Sequence, residues 1–238
     1  MATFILVHGA WHGGWCWERL APLLEAAGHH VLAPDLPGMG ADTRSLGEDP
    51  LGEWADFIAD LVNGVEGPIT LVGHSRGGLV ISEAAERVPE RLKRLVYLTA
   101  FLLQPGQSLS DVANRHPEAG PARAIRPAAD PARLALDLEV ALPIFYGLCS
   151  PHDARAAADR LTPEPLAALI KPLTISAERF GRIPRAYIEC TLDKAITLEM
   201  QREMQAALPC DPVIAVDADH SPFYSATPAL ARALLELA

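Results

Sequence analysis

Short, uninterrupted apolar runs recur along this chain and alternate with segments of helical period. Phe4-Ile-Leu-Val7, His30-Val-Leu-Ala33, Ile69-Thr-Leu-Val72, Leu95-Val-Tyr-Leu98, Ala186-Tyr-Ile-Glu-Cys190 and Val213-Ile-Ala-Val216 read as strands. A strand with one wet face alternates polar and apolar residues; runs without that alternation are buried on both faces. Helices are predicted between them. Leu20, Leu23, Leu24 and Ala27 share one side of Glu18–Ala27, with Gly28 as the stop. Leu51, Trp54, Ala55, Ile58, Leu61 and Val62 recur at helical spacing up to Gly64. Arg76–Val88, Ile196–Leu208 and Pro228–Leu237 follow, the last with Thr227 as its expected N-cap. Strands and helices in this order imply six largely parallel strands covered by helices on both faces.

One segment breaks the pattern. Residues 104–183 hold ten of the 21 prolines and no clear strand, whereas Arg133–Leu142 and Pro165–Ile170 read as helical. Apolar residues such as Leu134, Leu138, Ile144, Phe145, Tyr146, Leu166 and Ile170 argue against a loose linker. The expected organisation is a core made of residues 1–103 and 184–238, with 104–183 inserted as a helical cap over the sheet. The chain has 238 residues, half of them apolar, which is enough for a core that needs no disulfide or metal.

Gly73-His-Ser-Arg-Gly77 lies between a predicted strand and a predicted helix. A G-x-S-x-G motif in that context forms a sharp turn that lifts the serine above the carboxyl end of the sheet, and small flanking residues let neighbouring backbone approach. Ser75 is the candidate nucleophile. A serine hydroxyl needs a base, and His220, just after the last strand, falls at the same sheet edge. The imidazole in turn needs an acid. Asp193, at the exit of the fifth strand, is best placed, with Glu189, Asp217 and Asp219 as competitors; Thr99-Ala100, at the exit of the fourth, offers none. Acyl transfer also needs N–H donors for an oxyanion. Those expected are the backbone N–H of Arg76, after the nucleophile, and that of Ala10, in the loop His8-Gly-Ala-Trp-His-Gly-Gly14.

With these motifs the chain resembles an α/β-hydrolase of the small esterase and hydroxynitrile lyase branch, which includes plant methyl-salicylate esterases and pyrethroid-hydrolase-like carboxylesterases. The resemblance spans nearly the whole length: His8–Trp15, Asp35-Leu-Pro-Gly-Met-Gly40, Gly73–Gly78, Cys190-Thr-Leu-Asp-Lys-Ala-Ile196 and Asp219-His-Ser-Pro-Phe223. It implies Ser75, Asp193 and His220 as a triad under a pocket shaped by the cap. Lyases of that branch carry threonine after the first-strand histidine and lysine after the catalytic histidine. Here Gly9 and Ser221 hold those positions. This points to ester hydrolysis, and the expected substrate is a small to medium, apolar or aromatic carboxylic ester. Cyanohydrin cleavage, another cofactor-free reaction on the same triad, or a ligand receptor on the same scaffold are the alternatives. Relatives often carry Met, Leu or Gln where this chain has Arg76, which is expected to pair with a surface or cap carboxylate, the alternative being that it reads an anionic substrate group. Gly9, Trp11, Phe101, Phe145, Tyr146 and Ser221 are the expected pocket residues.

No cofactor and no metal site is expected. Gly38-Met-Gly40 has Thr43 where a dinucleotide fingerprint has its third glycine, and His152-Asp153 is too little for a metal. The formal charge of −10 argues against nucleic acid or an anionic membrane as partner. The expected partner is a small-molecule ester; a homodimer is left open. Without a secretory signal, and with four cysteines (Cys16, Cys149, Cys190, Cys210) lacking metal-type spacing, a cytoplasmic location is expected.

Overall fold

The computed structural model describes residues 1–238. In chain order the strands are β1 (Thr3–Val7), β2 (His30–Leu32), β3 (Ile69–Ser75), β4 (Leu92–Ala100), β5 (Ile125–Pro127), β6 (Arg133–Leu136), β7 (Glu164–Pro165), β8 (Arg185–Cys190) and β9 (Val213–Val216). The helices are α1 (Ala21–Ala26), α2 (Pro50–Asn63), α3 (Gly77–Arg87), α4 (Leu109–Ala113), α5 (Leu138–Phe145), α6 (Pro151–Ala158), α7 (Leu166–Ile170), α8 (Leu198–Ala207), α9 (Pro222–Ser225) and α10 (Thr227–Glu236). Six strands form one sheet in the order β2-β1-β3-β4-β8-β9, and every neighbouring pair is parallel.

The continuous apolar runs are explained by two cores, one on each face. Ile5, Val7, Leu71, Leu95, Tyr97 and Tyr187 face one side, where α2, α3 and α8 pack. Phe4, Leu6, Val72, Val96, Leu98 and Ile188 face the other, under α1 and α10. Successive residues of a strand point to opposite faces, so a strand between two helical layers must be apolar throughout. The edge strands β2 and β9 are only partly buried. Trp54 of α2 anchors the first core; it is fully buried and its indole donates to Pro37 O at 2.8 Å. Truncating such a side chain to alanine costs about 3–5 kcal/mol.

Several local expectations are corrected. Glu18–Ala27 is not one helix: a 3₁₀ turn at Gly14–Trp17 precedes the shorter α1. Pro22 stands in the first turn of α1, where its missing N–H is tolerated, and so marks a helix start rather than an interior. Thr227 begins α10 instead of capping it, and its hydroxyl donates back to Phe223 O.

Residues 104–183 contribute no strand to the six-stranded sheet. They carry short helices and also an antiparallel three-stranded sheet, β5-β6-β7, that the proline-rich pattern concealed. Arg133–Leu142 divides at Asp137: its first half is β6, its second begins α5. Likewise Pro165 belongs to β7 and only Leu166–Ile170 is helical. Strands as short as these are set by pairing with neighbours distant in sequence rather than by their own pattern.

Candidate active site

The carboxyl ends of β1, β3, β8 and β9 meet at one edge of the sheet, and each delivers part of the site. Ser75 ends β3 with φ of 54°, a left-handed conformation rare for a residue with a side chain. The strain is held by close packing. A Cβ on Gly73 would lie 2.7 Å from Gly77 O, and one on Gly77 would lie 2.7 Å from Val7 O. Only glycine allows β3, α3 and β1 to approach this closely. The turn projects Ser75 into a cavity of about 250 Å³.

His220 follows β9, borders the same cavity and is almost completely buried. Its Nδ1 lies 2.7 Å from Asp193 Oδ2. An ionised carboxylate accepts only, so this contact places the imidazole proton on Nδ1 and leaves Nε2 as the basic nitrogen. Asp193 is itself fully engaged. Its Oδ1 accepts from Ala195 N at 2.6 Å and Ile196 N at 3.0 Å, and its Oδ2 also accepts from Thr99 Oγ1 at 2.5 Å. The competing carboxylates lie elsewhere. Glu189 binds Arg202 and Gln205, and Asp217 accepts from Thr191. Asp219 accepts from Leu148 N, Ser221 N and Ser225 Oγ, which braces the turn that carries His220.

The loop after β1 folds over Ser75. A Cβ on Gly9 would sit 2.9 Å from both Ser75 Cβ and His74 Nδ1, so no side chain fits there. The Gly9 carbonyl accepts from His8 Nδ1 at 2.9 Å, and the Ala10 carbonyl from His12 Nδ1 at 2.7 Å. By contrast, the backbone N–H groups of Ala10 and Arg76, the two expected oxyanion donors, have no acceptor within the protein, and both residues border the cavity.

Four histidines cluster here in a nearly dry environment. Burial, then the Arg76 charge, holds His8 well below the ordinary imidazole range. Burial pushes His12 down to about 4, and its Nε2 accepts from Tyr146 Oη at 2.6 Å. His74 is likewise held well below its ordinary value by burial and by neighbouring His220. The His74 ring points away from the cavity, and its Nε2 donates to the His220 carbonyl at 2.7 Å.

Arg76 pairs with Glu164 of β7, and not at the surface: both side chains are fully buried. Nε donates to Glu164 Oε1 at 2.9 Å, Nη2 donates to Gly9 O at 3.1 Å, and the guanidinium lies 4.2 Å above the Trp54 ring. Burial lowers Arg76 from its ordinary value and raises Glu164, each opposed by the other's charge.

Of the expected pocket residues, Trp11, Phe101 and Phe145 border the cavity, whereas Gly9, Tyr146 and Ser221 do not. Gly9 is covered by Ser75 and His74, and the Tyr146 hydroxyl is taken up by His12. Ser221 is fully buried. Wall residues that were not anticipated include Leu109 and Leu169 from residues 104–183 and Met200 from α8. Thr99 and Glu164 were also missed. A polar residue at the carboxyl end of a buried strand was the available signal for Thr99; Glu164 had none in the local sequence.

The profile of the alpha/beta hydrolase family matches residues 4–233. The chain is 36% identical to salicylic acid-binding protein 2 of Nicotiana tabacum, over 99% of this chain and 96% of that one. It is 34% identical to methylesterase 1 of Arabidopsis thaliana, over 99% and 95%. Among solved structures, a pyrethroid hydrolase from Sphingobium faniae superposes with a TM-score of 0.87 at 32% identity, covering 100% of this chain and 97% of that one.

Proposed function

The chain belongs to the alpha/beta hydrolase family and is a carboxylic ester hydrolase, and from that premise we propose that it works through a Ser75-His220-Asp193 triad on a neutral, apolar or aromatic ester of small to medium size. Ser75 Oγ attacks the ester carbonyl while His220 Nε2 takes its proton. Asp193 holds the imidazolium through Nδ1. The N–H groups of Ala10 and Arg76 receive the oxyanion, where preorganised donors in a dry site contribute most. The tetrahedral adduct collapses as His220 protonates the leaving alcohol. A water molecule, deprotonated by His220, then releases the acid from Ser75.

The character of the cavity wall carries the substrate class. Arg76 is the one lining residue with a permanent charge, and its guanidinium is already bound to Glu164 and Gly9. Trp11, Phe101, Leu109, Phe145, Leu169 and Met200 supply apolar surface. A charged substrate group would lose its hydration there against a cation already neutralised by Glu164, whereas a neutral apolar acyl or aryl group gains by burial. Cyanohydrin cleavage is disfavoured because Gly9 has no side chain and Ser221 brings no charge to the cavity.

A panel of methyl and nitrophenyl esters tests this reading. Neutral aromatic and medium acyl esters should be turned over with the highest kcat/KM, and monoesters of dicarboxylic acids at least about tenfold less well. Equal preference for the charged esters would contradict it.

A further inference from the structure

The Arg76 side chain closes a ring through the loop that carries the second oxyanion donor. Its Nη2 donates to the Gly9 carbonyl, on the same oxygen as His8 Nδ1. Two residues on, the Trp11 N–H donates to Glu164 Oε2 at 3.0 Å, and Glu164 Oε1 returns to Arg76 Nε. A trans peptide points its C=O and its N–H in opposite directions. The Gly9 carbonyl belongs to the same peptide as the Ala10 N–H, so a group that pulls on that carbonyl aims the N–H. The next peptide is gripped at both ends, by His12 at the Ala10 carbonyl and by Glu164 at the Trp11 N–H. Trp11 sits at φ of 61°, a conformation unfavourable for its side chain that needs such a grip to persist.

Stability alone does not account for the pair. Two fully buried charges lose their hydration, and well-packed apolar residues of similar volume commonly serve as well or better. One guanidinium nitrogen, Nη1, even has no acceptor. We propose that the Arg76 side chain, with Glu164 of the insertion, is a positioning device that orients the Gly9–Ala10 peptide so that the Ala10 N–H meets the oxyanion. Arg76 thereby serves the oxyanion twice, with its own backbone N–H and with the guanidinium that aims the other donor. This rests on the hydrolytic reading above.

The decisive variant is R76M/E164Q. It removes both charges together, keeps similar volumes, and leaves an amide oxygen to accept the Trp11 N–H. R76M alone would strand the Glu164 carboxylate in the interior. With the double variant folded, kcat on a neutral aromatic ester should fall roughly 10–100-fold with KM within about threefold, because a misaligned donor is felt in the transition state and not in ground-state binding. Inactivation by a nitrophenyl phosphonate, whose adduct occupies the same donors, should slow by the same factor. R76K keeps a cation opposite Glu164, so it covers the case in which the double variant does not fold. A single ammonium cannot span Gly9 O and Glu164, and kcat should drop at least about fivefold. Wild-type kcat in R76K or in the folded double variant would overturn the proposal. S75A, assayed alongside, separates the two levels. If S75A stays active, the hydrolytic reading itself fails; if S75A is inactive and the double variant is fully active, only the positioning role falls.

Discussion

The Thr99 hydroxyl donates to Asp193 Oδ2, the same oxygen that faces His220 Nδ1. Thr99 holds this place with φ of 37°, unusual for a β-branched residue, at the carboxyl end of β4. It fixes where the carboxylate points and so where the imidazole stands. Replacing Thr99 with valine keeps the shape and deletes the donor. One hydrogen bond to a charged group is worth about 1.5–3 kcal/mol when it counts fully. Asp193 keeps its two backbone donors and His220 in this variant, so a smaller loss is expected, roughly 3–10-fold in kcat, with KM unchanged. Steady-state kinetics of T99V against T99S, which restores the hydroxyl, checks this.

Gly9 is the second sensitive position. A methyl group there would press on Ser75 Cβ and on the His74 ring, both held by backbone on which the site depends. Gly9→Ala should destabilise the fold by about 1–3 kcal/mol through overpacking. If Ser75 is the nucleophile, as proposed above, it should also lower kcat/KM by roughly tenfold or more, since a small displacement of the attacking atom is costly. Urea unfolding and ester hydrolysis on the same preparation measure both.

Stability should depend on pH through the buried histidines. His12 is held at about 4 in the folded chain, against an ordinary value near 6.5 when exposed. Between those values the unfolded chain binds the proton and the folded chain does not, so stability rises with pH across that window. The contribution is fully present above about pH 6.5 and is lost as pH falls toward 4, amounting to about 3 kcal/mol for His12 alone. His8 and His74 act in the same direction. Glu164, raised by burial, acts the opposite way. The net expectation is a urea midpoint that drops from pH 7 to pH 5, and a flat profile over that range would count against a neutral buried cluster.

The β-sheet was legible because it is written in local chemistry. Phe4-Ile-Leu-Val7 and Leu95-Val-Tyr-Leu98 need two apolar faces, and Gly73, Gly77 and Gly78 are demanded by backbone contacts with Ser75 between them. Strand ends made Asp193 the best-placed partner for His220 and left Glu189, Asp217 and Asp219 as competitors, among which the family resemblance pointed to Asp193. What escaped depends on partners far away in sequence. Strand β6 exists by pairing with β5 and β7, and Arg133–Leu136 alone has no pattern to show it. Arg76 announced a carboxylate partner, but 88 residues separate it from Glu164, and only the folded chain brings the two together. Tyr146 was assigned to the pocket on aromaticity, whereas its hydroxyl belongs to His12 behind the loop.

The most direct test of the Ser75 mechanism is the hydrolysis rate of a neutral nitrophenyl ester by Ser75→Ala beside the unaltered protein. The substitution removes one hydroxyl from the cavity and leaves the donors at Ala10 and Arg76 in place. A Ser75 nucleophile predicts a fall in kcat of about 10³-fold or more, with the remaining rate due to the oxyanion donors and binding alone. A rate within tenfold of the unaltered protein would contradict it.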